Sequence, residues 1–302
     1  MRPYIKLIGI LVITIICALS YLIQAQENPL TQPVPQEKTY QLTASLKEGN
    51  KFEISQVQKW EGKLIIKTEL EQKYPFLKSI QNNYSEVILS AKEGTINSER
   101  TYTLSRIKIN IPTTIPEKGI KDEATSLQGK QLALEIKDNQ LTATKILAKQ
   151  NNVVLKNDLP YVTSFTEYNL LLPQAPVKPG DSWQITNAEL GKVVFKEDYD
   201  EKLCSVEGKA TLDAITTYKD LNSARVFVNL KITHKANETT PALSVELKGT
   251  YYYALDKNVI TSLDLKGQFT LDKEIKLADK SLVKINAAGE IIITSQVTPI
   301  EK

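Results

Sequence analysis

Histidine and cysteine are almost missing from this chain: His234 is the sole imidazole, and Cys17 and Cys204 are the only thiols in 302 residues. A Ser-His-Asp or Cys-His system would have to be built on His234. A zinc site with two histidines cannot form within one chain. His234 is expected at the rim of its strand. Cys17 lies in an apolar leader, so removal of that leader leaves Cys204 without an intramolecular partner. Cys204 is then either a small buried hydrophobe or a free thiol open to reaction or to pairing between chains.

Other absences narrow the field further. There is no G-x-S-x-G elbow, no Walker A loop, no G-x-G-x-x-G and no D-x-D-x-D-G loop. No long basic block occurs, and 38 basic against 35 acidic residues leave +3, so the chain has no electrostatic footprint for nucleic acid. The sequence predicts no catalytic residue, no cofactor and no metal. It reads as a non-enzyme; a carboxylate-based hydrolase is the remaining catalytic alternative, since the acidic residues are too many to exclude a converging pair.

One long apolar run is present. Arg2 and Lys6 precede a charge-free stretch from Leu7 to Ile23, followed by Gln24 and Ala25. A basic start, an apolar middle and a small residue before the cut make residues 1–25 a secretory signal peptide. An uncleaved N-terminal anchor is the second reading, because the run nears the length of a membrane span. Lipidation at Cys17 is the third, and Ile15-Ile16 before it fit a lipobox poorly. All three place the body outside the cytoplasm, in the periplasm, envelope-associated or secreted, with the membrane engaged only through this segment if it is uncleaved. Residues 26–38, QENPLTQPVPQEK, form a proline-rich tether.

The rest reads as β structure. Tyrosine (13) outnumbers phenylalanine (6) and tryptophan (2), which suits half-buried strands. Tyr40, Leu42, Ala44 and Leu46 alternate with polar residues, as do Phe52 and Ile54. Turns are expected at Lys47–Asn50, Glu61-Gly62, Lys92–Gly94, Lys137–Asn139 and Asp256–Asn258. Lys67 to Tyr84 is irregular, with room for a short helix that Pro75 would interrupt. Leu159, Val162 and Phe165 recur every third residue and predict a short helix. Alternation is clearest in Val226–His234, Leu243–Leu255 and Leu263–Leu271, with Leu282–Val297 giving a closing strand or two. Strands this long with one polar face imply a curved, twisted antiparallel sheet. The expected fold is therefore mainly β (β-rich α+β). Long antiparallel sheets make two similar halves, 39–145 and 180–302, joined by a connector over 146–179 with one or two short helices.

The single distinctive motif is Pro173–Trp183, PQAPVKPGDSW. Pro179-Gly180 suits a type II turn, Asp181 can cap it by bonding backbone two residues on, and Trp183 then enters a strand. This segment resembles a family of uncharacterised bacterial exported proteins, many of them lipoproteins, built around a domain of unknown function. Lys92-Glu93-Gly94, Gly129-Lys130 and Tyr253–Asp256 in their strand contexts are similar to that family. The resemblance implies a β-rich exported protein and carries no catalytic residues to transfer.

Two non-catalytic functions follow. The first is a binding or scaffold protein of the envelope, its partner unnamed by the sequence. The second is a carrier or sensor of an apolar ligand, a lipid or lipoprotein chain, held in a half-barrel with Trp183, Tyr251, Tyr253 and Phe269 facing the ligand. Against the carrier stands the alternative that the same rings fill a packed core.

Overall fold

The structure, a computed structural model, describes residues 38–110, 120–147, 154–195, 199–237, 240–276 and 281–301. Residues 1–37, where the signal segment and most of the tether are expected, lie outside the described residues. Residues 39–302 form one compact unit.

That unit is built on one antiparallel sheet of twelve strands. The first half supplies β1 (Lys51–Lys67), β2 (Glu71–Lys92), β3 (Thr95–Asn110), β4 (Ile120–Ala124), β5 (Gln131–Lys137) and β6 (Gln140–Ile146). The second supplies β7 (Ser182–Ile185), β8 (Cys204–Tyr218), β9 (Leu221–His234), β10 (Ala242–Ala254), β11 (Val259–Lys276) and β12 (Leu282–Ile300). The order is β6-β5-β3-β2-β1-β12-β11-β10-β9-β8-β7, with β4 beside the end of β3. The mainly β architecture is thus as the alternation predicts, and the two halves share one sheet. β1 and β12 pair along their whole common length, from Lys51 opposite Ile300 to Lys67 opposite Lys284.

Tight turns follow from local chemistry. Glu93-Gly94, Asp138-Asn139 and Lys219-Asp220 each hold two consecutive positive φ angles, the requirement of a two-residue hairpin turn that matches strand twist. Glu61-Gly62, in contrast, is no turn: β1 runs through it. Gly62 lies opposite Gly289 of β12, where a Cβ on Gly62 would stand 2.2 Å from the Ala288 carbonyl oxygen. Glycine there permits the close approach of two backbones at the centre of the sheet. Residues 67–84 likewise hold no helix. β2 passes through Pro75, because alternating burial of Ile80, Tyr84 and Ile88 commits the segment to the core. Tyr40–Leu46 makes only one bridge, Tyr40 with Val177; it crosses the core with Leu42 and Leu46 buried and joins no strand.

Two 3-10 helices, Lys156–Tyr161 and Phe165–Leu171, lie in the connector. Leu159, Val162 and Phe165, expected on one helix, are divided between them: Leu159 in the first, Val162 at its C-cap and Phe165 opening the second. A short α-helix, α1 (Leu190–Phe195), follows β7 and has no counterpart in the sequence reading. Among the described residues no helix is long and apolar enough to cross a membrane.

The sheet curls so that its two ends approach across the connector. Asn169 of the second 3-10 helix donates from Nδ2 to Asn139 Oδ1 at the β5–β6 turn, 3.0 Å away. Lys192 of α1 donates to Gln140 Oε1 at 3.4 Å. Two apolar clusters fill the concave side. The larger joins Trp60 and Leu64 to α1, β8–β11 and part of β12. The smaller joins Phe52, Ile54, Tyr84, Tyr102, Leu132 and Phe165.

Within the smaller cluster lies a fully buried ion pair. Arg100 donates from Nε (3.0 Å) and Nη2 (2.8 Å) to Glu86 Oε2, and from Nη1 to Tyr102 Oη and the Thr163 carbonyl. Ser98 donates to the other Glu86 oxygen at 2.6 Å. Burial by itself would lower the Arg100 pKa, but Glu86 and the rings of Tyr84 and Tyr102 outweigh it and hold the guanidinium charged. The pair is tolerated inside because its donors and acceptors are used.

Candidate functional site

An open groove of about 770 Å³ lies at the β7 end of the sheet. Its floor is β7 itself, its near wall is Pro173–Val177, and its far wall is Leu42–Ala44, with Asn139 and Asn169 closing one end. Local sequence builds each part. Gly180 has φ of 95°, and Asp181 N donates to Lys178 O, so the chain reverses at Pro179-Gly180 as the motif predicts. Asp181 caps the turn differently from expectation. Its carboxylate accepts from Lys178 N at 2.9 Å, three residues back, because the reversal brings that amide to it.

Trp183 stands on β7, half-buried, and donates from Nε1 to the Leu171 carbonyl at 2.9 Å. It therefore lines the groove while bracing the second 3-10 helix. Tyr251 and Tyr253 do not reach the groove surface. Both are fully buried, and they hold the groove's framework from behind. Tyr253 donates to Thr43 O at 2.6 Å, fixing the far wall. The Tyr251 hydroxyl reaches the same Leu171 carbonyl that Trp183 uses, at 3.5 Å. Burial pushes the Tyr253 hydroxyl up to about 12 and also raises that of Tyr251 well above the ordinary phenol range.

Phe269 lies elsewhere. Its ring packs edge-on to Trp60 at 5.0 Å and against Phe76 at 5.7 Å. Together with Val194, Phe195, Leu243 and Leu271 these rings line a smaller, apolar pocket of about 200 Å³ beneath α1. Of the four sequence-predicted residues, Trp183 lines the groove and Phe269 a separate pocket, while Tyr251 and Tyr253 are core side chains that face neither. Leu42–Ala44, Asn139, Asn169 and Gln184 belong to the groove and were missed by sequence reasoning. The proline-rich motif was the one signal pointing there.

His234 closes β9, where a rim position was expected, but it is buried, with 3% of its surface exposed and its ring edge-on to Phe195 at 5.7 Å. Apolar packing by α1 covers it. Cys204 faces it in the β8–β9 ladder and is half-buried, its thiol near the Ala188 carbonyl and pushed up to about 11 by burial. A thiol held protonated in this way is a poor nucleophile. Among the described residues no group of three or more His, Cys, Asp or Glu side chains is placed to hold a metal ion.

No protein-family model matches the chain, and no curated protein matches it. The solved structures that align include two at 8% identity. An outer membrane channel from Pseudomonas putida F1 aligns over 85% of this chain and 98% of that one, with a TM-score of 0.24. P47 from Clostridium botulinum A2 aligns over 83% and 81%, with a TM-score of 0.18. Alignments at those scores carry no argument about fold, site or activity. The chain is a mainly β protein with one curled, connector-filled sheet and an open groove at its β7 end.

Proposed function

We propose that this is a non-catalytic, exported binding protein of the cell envelope or extracellular space, and that its ligand sits in the groove on β7. The observation that carries this reading is the groove. Its volume falls in the range of ligand sites, it is open, and Trp183 offers it a large ring held in place by a hydrogen bond. The buried carboxylates support a non-catalytic assignment, since each has structural work. Glu86 is bound to Arg100 and Ser98, and Glu167 accepts from Ser164 N at the start of the second 3-10 helix. Export rests on the Arg2–Ala25 segment, and kinship with the P-x-x-P-G-D-S-W family rests on Pro173–Trp183.

A second reading, the apolar-ligand carrier, draws on the pocket under α1, whose lining is predominantly aromatic and aliphatic. At about 200 Å³ it is smaller than the usual range for ligand sites.

Native mass spectrometry of the protein purified from its own envelope tests both readings. The groove reading expects a bound species that Trp183→Ala releases and that a Phe269 variant keeps. A bound lipid lost on substitution of Phe269 and kept by Trp183→Ala would replace the groove reading with the carrier. Intact mass of the mature chain tests export, with cleavage after Ala25 expected.

A further inference from the structure

The geometry points to one kind of occupant for this groove: an extended, uncharged stretch of another polypeptide, added to β7 as a further strand. This rests on the groove being a binding site and names what it binds.

The argument starts from the hydrogen-bond register of β7. Leu212 N donates to Asp181 O at 2.9 Å, and Ser182, Trp183, Gln184 and Ile185 then lie opposite Thr211, Ala210, Lys209 and Gly208. Bonding alternates along an antiparallel pair. Trp183 and Ile185 therefore turn their backbone groups toward β8, and Ser182 and Gln184 turn theirs outward. Among the described residues no backbone group pairs with these outward donors and acceptors. β7 ends the sheet, so this is a bare strand edge, and the groove opens beside it.

Natural sheet edges are usually blunted by lysine, proline or a bulge. β6, at the other end, carries exposed Lys145. β7 reads Ser-Trp-Gln-Ile and pairs with β8 without a register shift, so of the usual protections it has only its short length of four residues. The far wall, Leu42–Ala44, could have filled the edge position but does not join the sheet; Tyr253 holds Thr43 back by its carbonyl. What remains is a vacant strand position with a tryptophan along one side.

Charge then selects the occupant. Among the described residues Asp181 is the only charged one lining the groove, and its carboxylate already accepts from Lys178 N. Nothing there is built to hold a phosphate or a carboxylate. Alternating backbone donors and acceptors, side-chain amides from Asn169 and Gln184, and an aromatic face are what a neutral peptide backbone with alternating side chains requires. The chain's own tether is a poor candidate, since Pro29, Pro33 and Pro35 lack the N–H that a ladder uses.

The test uses the full chain and a library of acetylated, amidated hexapeptides of Ser, Thr, Val, Ala and Asn. Binding is read by tryptophan fluorescence and by amide exchange over Ser182–Thr186. At least one member is expected to bind and to slow exchange at Ser182 and Gln184 tenfold or more. N-methylation of that peptide at alternate bonds should abolish binding in one register and leave the other intact. Gln184→Pro, which removes an outward backbone donor, should weaken binding at least tenfold and by more than Gln184→Ala, which removes the side-chain amide alone. The N-methyl readout stands even if the proline variant fails to fold. Equal binding of both N-methyl registers, or the absence of any binding member, overturns the inference. If oleate or a small neutral solute protects the same amides in place of peptide, the strand inference falls and the groove reading survives. If no probe perturbs Trp183 or these amides, both fall. Concentration-dependent dimerisation that protects β7 assigns the edge to a second copy and also overturns the inference.

Discussion

Arg100 shows at the residue scale how much of the interior depends on single polar contacts. Removing either partner of its pair with Glu86 strands a charge at a fully buried position. Arg100→Met or Glu86→Gln should each cost about 3–5 kcal/mol, read as a shift in the urea midpoint at constant slope. Replacing both by apolar residues should cost less than the sum of the single changes, because no uncompensated charge remains. Cys204 gives a second residue-scale expectation. Its thiol, pushed up to about 11, carries little thiolate at pH 8. Iodoacetamide should modify it much more slowly than it modifies free glutathione, and urea should remove the difference.

At the scale of elements the decisive places are where backbones meet. Gly62→Ala would put a methyl against the Ala288 carbonyl in the middle of the β1–β12 ladder. It should cost about 1–3 kcal/mol, comparable to overpacking a core, and a melting curve reads it directly. Gly62 also marks the limit of what sequence could reveal. Glu61-Gly62 looks like a turn because glycine next to a polar residue usually is one. Only its partner glycine on β12, remote in sequence, shows that the requirement is close approach. The long strands were legible because burial alternates along them with period two. α1 was not, since six residues give too little of a helical period to read. Tyr251 and Tyr253 were legible as inward-facing. That they act through the carbonyls of Leu171 and Thr43 depends on the folded connector and leaves no trace in strand patterning.

For the whole molecule, burial of many phenols predicts an alkaline limit. Tyr84, Tyr102, Tyr168 and Tyr251 are all raised by burial, Tyr199 and Tyr253 to about 12, and Cys204 to about 11. An acid whose pKa is raised by folding keeps its proton in the folded state while the unfolded chain releases it. Stability from these groups is therefore whole below the ordinary values of 9.0 for the thiol and 10.0 for the phenols, and is lost as pH rises through the raised ones. Absorbance at 295 nm should show a late step of tyrosine ionisation between about pH 10 and 12, coincident with loss of the β circular dichroism signal. Below about pH 8 these groups are protonated in both states and contribute no pH dependence to stability.

The pairing of β1 with β12 has a consequence for how such a chain is made. The first strand of the sheet waits for the twelfth, and until β12 is released neither β1 nor β11 has its inner neighbour. A chain threaded through a translocation channel from its N-terminal end would emerge with its central seam open and close it in the final act. Ending the chain after residue 281 should leave a body that cannot reach the native state, seen as lost cooperativity in denaturant and bound dye at exposed apolar surface. Supplying a β12 peptide in trans should restore the cooperative transition, making the last strand the fastening for the whole molecule.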